Sequence, residues 1–230
     1  MLHYLQGLLS ALDLTSLLDA VLRVAAIFLC LTVHETCHGL AALALGDPTA
    51  KSMHRLSLNP LRHIDWIGLL MMFVAGFGWA KPVPVDMGHF RHPKLGMALT
   101  ALAGPFSNFL MGTAALAIAS ALYHFALARL LTSLWLYHVF LLLLRITILS
   151  VGLGIFNLIP IPPLDGSKAV FSLLPDRIYY TILRYERYLM LVLFVLVFLN
   201  VLDGPLSVLL QGGLRGLCYI TGFPTQVLGL

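Results

Sequence analysis

Long apolar runs separated by short polar turns dominate the pattern along the chain. Four runs are almost free of charge: residues 24–46, 95–128, 146–164 and 188–202. A helix needs about 20 apolar residues to cross a bilayer, and a charge at bilayer depth costs several kcal/mol. The pattern therefore predicts at least four membrane-spanning helices. The first contains a single charge, Glu35, and the last extends back through the mixed stretch after Pro175.

A fifth apolar run, residues 66–80, is short and rich in glycine. As a helix it would extend about 22 Å, less than the roughly 30 Å thickness of the hydrocarbon core. We therefore expect it to enter the membrane and return. The alternation Pro82-Val83-Pro84-Val85 cannot be helical and indicates extended, edge-type backbone, so residues 66–85 form a predicted re-entrant and edge segment.

Two further stretches affect the count of helices. Residues 1–17 lack the basic start and small-residue cleavage site of a signal peptide, so we expect an interfacial helix there. Residues 130–144 are apolar enough to be an additional crossing, but no turn separates them from the next run. We expect Arg145 to snorkel to the outer interface instead. The predicted fold is an all-α polytopic membrane protein with about four to six transmembrane helices.

Composition supports this fold class. Of the 230 residues 60% are hydrophobic and 10% are charged, against roughly 25% charged in an average soluble protein. A soluble globule of this size cannot hide so much apolar surface, whereas a lipid bilayer solvates it. No linker divides the chain, so residues 1–230 are expected to form a single membrane domain. The net charge of +4 comes from dispersed basic residues, and a nucleic-acid partner is therefore excluded.

The first span contains the sequence His34-Glu35-Thr36-Cys37-His38, which has the H-E-x-x-H pattern. On a helix, residues i and i+4 share a face, so both imidazoles reach one metal ion and Glu35 lies beside the open coordination position. Imidazole ligands favour zinc. A pair of hydrogen-bonded histidines at a helix interface is the simpler alternative, but it leaves the carboxylate in the same apolar span unexplained.

A catalytic zinc takes three protein ligands and leaves a fourth position for water. Asp165 is the strongest candidate for the third ligand, because it is the acidic residue at the end of the 146–164 run and follows helix-breaking prolines. Taken alone, an aspartate before a glycine is more simply a turn residue. Cys30 and Cys37 compete as ligands, although we favour a role as small hydrophobic residues, and no disulfide is expected.

Four motifs occur in a fixed order: His34-Glu35-x-x-His38-Gly39, the G-W-A-K-P-V-P-V stretch, the A-G-P-F-S-N stretch, and residues 157–166. Together they resemble the site-2 protease family of intramembrane zinc metalloproteases, in its compact prokaryotic form. The resemblance implies one zinc ion held by His34, His38 and Asp165. It also implies Glu35 as the general base and Asn157 near the substrate or the oxyanion. The PDZ or CBS domains of some relatives are not expected here.

Charge predicts the orientation in the membrane. If His38 and Asp165 share a metal, their spans end on the same face, which requires that residues 66–80 return to that face. Of the basic residues, ten then lie on the face nearest the site and four on the other. The ten are Lys51, Arg55, Arg62, Lys81, Arg91, Lys94, Lys168, Arg177, Arg184 and Arg187, and the four are Arg23, Arg129, Arg145 and Arg215. The positive-inside rule places the site of this cell-membrane protein towards the cytoplasm.

These features predict peptide hydrolysis within or near transmembrane segments of membrane proteins. Glu35 would take the proton of the attacking water, and Asn157 would stabilise the oxyanion or form an interhelical hydrogen bond. We expect the Gly104-Pro105 pair to disrupt its helix, and Asn108, which follows it, would face the site or pack helices near it. The segment 79–85 would receive the unwound substrate by strand addition, or it would be a plain amphipathic loop that Trp79 anchors at the interface. A membrane metal transporter and a non-catalytic scaffold are the alternatives; a transporter would repeat polar positions along a pathway, and a scaffold would have lost Glu35 or a ligand.

Overall fold

The computed structural model describes residues 17–68, 71 and 80–230, and this part of the chain is built from α-helices. The helices are α1 (Leu17–Ala44), α2 (Thr49–Ser52), α3 (Pro93–Thr132), α4 (Leu134–Asn157), α5 (Asp165–Phe171), α6 (Asp176–Phe198) and α7 (Asp203–Thr221). The described residues contain no strand, only an isolated antiparallel bridge between Ile64 and Ala80. The predicted all-α class is confirmed. All but the last residue of the expected interfacial helix at residues 1–17, and most of the run 66–80, lie outside the described residues.

Three helices are long and apolar enough to cross a membrane. They comprise Leu18–Ala44, Pro93–Leu130 and Leu134–Asn157, and α6 and α7 add a fourth span if the two are taken together. The protein is therefore a multi-pass membrane protein. Within the described residues the count is thus three or four spans, against the prediction of about four to six.

The predicted bounds of the third span were wrong. The helix α4 starts at Leu134 and ends at Asn157, whereas the apolar run was placed at residues 146–164. Ser133 separates α3 from α4, and residues 134–144 form the first part of α4. The run 130–144 is therefore no independent crossing. The helix ends early because Pro160, Pro162 and Pro163 cannot continue it.

Proline also gives a second correction, in α3. The Gly104-Pro105 pair was expected to disrupt the helix, yet α3 continues through Pro105, and its non-helical residue is Ala126, with φ −132° and ψ 20°. Pro105 is fully buried. Membrane helices tolerate proline because neighbouring helices and side chains compensate for the missing backbone hydrogen bond.

The described residues fall into two compact units. The first contains the chain up to Cys30 together with Asn108–Leu153 and Asp203–Leu230. Its core packs Ala26, Cys30, Ala115 and Ile146 against one another. Small residues bring α3 and α4 close together, since a Cβ added at Gly112 would lie 3.1 Å from a methyl group of Val151.

Arg145 does not reach the outer interface as expected. It is completely buried in this first unit, where its Nη2 lies 3.1 Å from Asp19 Oδ1 and its Nη1 donates to the Asp19 carbonyl at 3.3 Å. The carboxylate neutralises the guanidinium inside the protein, so Arg145 marks no membrane boundary. Without it, the charge bias between the two predicted faces is ten against three.

The second unit contains Leu31–Ser107 and Gly154–Leu202. Here α1 ends in a Schellman motif: the Gly46 N–H donates to the Leu43 carbonyl and the Asp47 N–H to the Ala42 carbonyl, with Gly46 at φ +104°. This positive φ favours glycine at position 46. The motif reverses the chain and turns Asp47 inward, where it is fully buried.

The buried Asp19–Arg145 pair should contribute strongly to stability. Asp19→Asn leaves a guanidinium without its counter-charge and should destabilise the folded protein by about 3–5 kcal/mol. Thermal unfolding in detergent measures this as a lowered Tm. Exchange of both partners, Asp19→Leu with Arg145→Met, should recover most of the loss because no unpaired charge then stays buried.

The pair between Lys94 and Asp176 provides the matched control. Its N–O distance of 3.0 Å is similar, but the Asp176 side chain is 77% exposed. Asp176→Asn should therefore change the stability by at most about 1 kcal/mol. Equal Tm values for the Asp19→Asn and Asp176→Asn variants would contradict the assignment.

Candidate metal centre

Helical geometry brings two histidines of α1 together. His34 and His38 are separated by one turn, and their ring centroids lie 4.5 Å apart in an edge-to-face arrangement. The two Nε2 atoms face each other at 3.0 Å. Both residues are buried, with 3% and 8% of their surface exposed. An apolar helix thus presents two converging imidazole nitrogens to one point.

Asp165 completes this set from a distant part of the sequence. It is the first residue of α5, and the extended Leu164 before it ends the proline-rich turn after α4. Asp165 Oδ2 lies 3.1 Å from His34 Nε2 and 3.2 Å from His38 Nε2. The structure therefore brings together the three residues that were predicted as metal ligands.

Gly166 fixes the position of Asp165. A Cβ added to Gly166 would lie 2.1 Å from the carbonyl oxygen of Leu158, so any side chain there would collide with backbone. The turn after α4 is consequently closed by direct backbone contact.

A carbonyl group determines the tautomer of His38. Its Nδ1 lies 2.7 Å from the carbonyl oxygen of Thr100, and a carbonyl can only accept. Nδ1 therefore holds the proton and donates it, which leaves the Nε2 lone pair directed at His34 and Asp165. Metal-binding histidines generally use this kind of outer hydrogen bond to orient the ring.

The donor set fits a zinc ion. Ligand atoms around a tetrahedral zinc, each about 2.0–2.1 Å from the ion, lie about 3.3 Å apart. The three atoms of this site are separated by 3.0, 3.1 and 3.2 Å. Lone pairs converging at such distances repel one another unless a cation or a proton lies between them. Two imidazoles with one carboxylate favour zinc over the hard cations, which prefer oxygen ligands.

Gly104 gives the imidazoles their space. A Cβ added at this position of α3 would lie 2.4 Å from His38 Nε2 and 2.7 Å from His34 Cε1. The helix α3 thus approaches the two rings as closely as a backbone can. The sequence contained a signal for this contact, since a glycine within a long apolar helix indicates close packing.

Glu35 lies next to the ligands in sequence but contacts a different element. Its Oε2 accepts a hydrogen bond of 2.8 Å from the Val83 N–H, in the extended segment with the Pro-Val-Pro-Val sequence. Among the described residues, the group able to share one metal consists of His34, His38 and Asp165 and does not include Glu35. The carboxylate is thus held beside the site by a backbone donor that the sequence did not reveal.

The two predicted asparagines lie in different units. Asn157 is the last residue of α4 and is half-buried, in the same unit as the ligands. Asn108 is completely buried in α3 and belongs to the first unit. Both residues take part in interactions within the protein. Their roles towards a substrate or an oxyanion stay predictions.

Comparison with known proteins gives matches across most of the chain. The profile of Peptidase family M50 matches residues 22–200. The chain is 36% identical over 166 residues to YwhC of Bacillus subtilis (strain 168), named as a candidate zinc metalloprotease, and the match covers 72% of this chain and 74% of YwhC.

A second relative, Rip2 of Mycolicibacterium smegmatis (strain ATCC 700084 / mc(2)155), is also named as a candidate zinc metalloprotease. It is 28% identical over 155 residues, which are 65% of this chain and 56% of Rip2. No solved structure matches the chain. The range matched by the family profile includes Glu35 and the three ligand-type residues.

Replacement of Gly104 should disrupt the centre. Gly104→Ala places a methyl group against both imidazoles, so the rings have to move and the metal content of the purified protein should fall by at least about tenfold. Gly152→Ala is the matched control, because a Cβ at this helical glycine would have its nearest neighbour 4.0 Å away. Metal analysis that finds equal occupancy in the two variants would contradict the close approach of α3.

Proposed function

Because the chain belongs to Peptidase family M50, the family of the site-2 proteases, we propose that it is an intramembrane zinc metalloprotease. It is a membrane-associated metalloprotease by family, and the proposal adds that it hydrolyses peptide bonds in or near transmembrane segments of membrane proteins. The observation that carries the proposal is the convergence at 3.0–3.2 Å of Asp165 with His34 and His38, which lie on a helix long enough to span a membrane.

In this proposal His34 Nε2, His38 Nε2 and Asp165 Oδ2 hold one zinc ion. When bound, zinc lowers the pKa of water towards neutrality and polarises a substrate carbonyl. The protein supplies the orientation of the ligands. The Thr100 carbonyl fixes the His38 ring, and the turn closed at Gly166 fixes the aspartate.

Glu35 is proposed as the general base. Its Oε2 is held by the Val83 N–H, so Oε1 is left to accept the proton of the attacking water. The same carboxylate can then pass the proton to the nitrogen of the departing amine. Asn157, in the same unit, is the proposed hydrogen-bond donor to the substrate or the oxyanion, and Asn108 is proposed to support the substrate-binding region.

The substrate has to be unwound before cleavage, because a transmembrane helix keeps its amides in internal hydrogen bonds. The extended segment beside Glu35 offers an unwound substrate strand backbone carbonyl oxygens and no backbone N–H donors at residues 81–84. The Lys81 N–H already donates to the His63 carbonyl, the Val83 N–H donates to Glu35, and Pro82 and Pro84 have no N–H. A substrate strand pairing with residues 81–84 therefore has to donate to carbonyl oxygens.

Neither alternative function explains the described residues as well. A metal transporter would repeat ligand groups along a pathway, and the described residues contain one group of three. A scaffold has no use for a carboxylate held beside that group. Hydrolysis uses all four residues.

The experiment that tests the proposal pairs zinc content with cleavage of tagged single-span membrane proteins in proteoliposomes. His34→Ala and Asp165→Ala should lose both zinc and activity. Glu35→Gln should retain zinc and lose about 10²–10⁴-fold in rate, because only the base is removed.

Two results would refute these assignments. Full zinc content and activity in Asp165→Ala would eliminate the third ligand, and loss of zinc in Glu35→Gln would make Glu35 a ligand or a structural residue. Cleavage of unfolded casein without cleavage of any single-span protein would refute the intramembrane specificity.

The proposed orientation places the site towards the cytoplasm. The positive-inside rule supports it, with ten basic residues against three once the buried Arg145 is left out. Single cysteines at Ser52 and Met87, in a background without native cysteines, should react with a membrane-impermeant thiol reagent in inverted vesicles and not in intact cells. Labelling of Met87→Cys in intact cells, with Ser52→Cys unlabelled there, would show that the run 66–80 crosses the membrane.

A further inference from the structure

We infer that the Val83 N–H and the buried carboxylate of Asp47 act together as positioning groups for Glu35. The inference rests on the proposed role of Glu35 as the base. It gives the extended segment 81–86, part of which is proposed above to pair with the substrate, a second function. Both groups belong to the unit that contains the ligands.

The first observation is the direct contact between the segment and the base. Val83 donates its N–H to Glu35 Oε2 at 2.8 Å, and its side chain is buried. Glutamate has several rotatable bonds, and a backbone donor restricts them and orients the carboxylate. Val83 is also well suited as the donor, because Pro82 and Pro84 fix the backbone on either side of it.

The second observation is that the segment lies directly on the face of α1 that carries Glu35. Gly39 is one turn after Glu35, and a Cβ added there would lie 3.2 Å from Val83 Cγ1 and 2.9 Å from Leu56 Cδ1. The absence of a side chain at Gly39 thus permits the segment to approach the helix. Without this approach, the Val83 N–H would not reach the carboxylate.

The third observation is that both ends of the segment are fixed. At the start, Arg55 Nη2 donates to the carbonyl oxygens of Lys81 and Pro82, at 2.9 and 3.3 Å. At the end, Asp47 Oδ2 accepts the Asp86 N–H at 2.8 Å. Val83 lies between these two anchors, so their positions determine where its N–H points.

Asp47 is itself held rigidly. It has no exposed surface, and its Oδ1 accepts the Thr49 N–H at 2.9 Å and lies 3.1 Å from His89 Nδ1. Burial raises the pKa of Asp47, but hydrogen bonds from Thr49 and from the Asp86 N–H outweigh it and lower the pKa. The carboxylate is therefore ionised at neutral pH and accepts on both oxygens.

The sharpest test removes only the Val83 donor. Val83→Pro deletes the N–H in a segment that already has proline on both sides, and Val83→Thr is the conservative variant that keeps it. With the single-span substrates in proteoliposomes, Val83→Pro should lower kcat by about tenfold and leave KM and zinc content within twofold. Val83→Thr should recover most of kcat.

A double-mutant cycle separates positioning from a general loss of structure. Glu35→Asp shortens the base by one methylene, so its carboxylate no longer reaches the Val83 N–H. Val83→Pro should then reduce the residual rate by less than about twofold, because the contact it removes is already lost. An equal, tenfold loss in both backgrounds would overturn the inference and make Val83 a structural residue only.

Asp47→Asn tests the anchor at the end of the segment. An asparagine has one acceptor oxygen, so it cannot accept from both the Thr49 N–H and the Asp86 N–H. The substitution should lower kcat by at least about threefold with zinc retained, and Asp176→Asn, an exposed carboxylate elsewhere, should leave kcat unchanged. Equal kcat for Val83→Pro and Val83→Thr, with zinc bound in both, would overturn the inference. Undiminished hydrolysis by Glu35→Gln would instead overturn the proposed function.

Discussion

Ionisable groups on apolar helices have to find their partners within the protein, because the bilayer offers none. This constraint explains both units. In the first, the Arg145 guanidinium lies against Asp19, and in the second two imidazoles and a carboxylate converge. Each burial of charge would cost several kcal/mol without these contacts. The constraint also explains why His34 and His38 lie at a contact between helices and not on a lipid-facing surface.

The sequence predicted the elements whose signal is local. Apolar runs predicted the membrane-spanning helices, and the i and i+4 spacing predicted the histidine pair. Prolines indicated where α4 ends. Asp165 was predicted because it is the acidic residue at the end of the 146–164 run and follows helix-breaking prolines. Its distance from the histidines in sequence meant that spacing alone left a simple turn residue as the alternative, and the structure brings the three side chains together.

Signals that depend on tertiary contacts were missed or misjudged. Arg145 was assigned to a membrane boundary because its partner Asp19 is far away in sequence, and α4 was therefore placed too late in the chain. The role of Gly104 was also missed, because the imidazoles that it contacts lie on another helix. The Val83 N–H was missed because the order of side chains does not show which acceptor a backbone N–H binds.

The positions of the three ligand-type side chains are fixed by contacts that do not involve a metal. The Thr100 carbonyl orients the His38 imidazole, and the backbone of α3 at Gly104 restricts the positions of both imidazoles. The close backbone contact between Gly166 and Leu158 holds the Asp165 carboxylate in place. A zinc finger, by contrast, folds only when its ion binds. Loss of the ion and loss of the fold are therefore separate events in this protein. A chelator should remove the metal without unfolding the protein, and the centre should bind a metal again with little rearrangement.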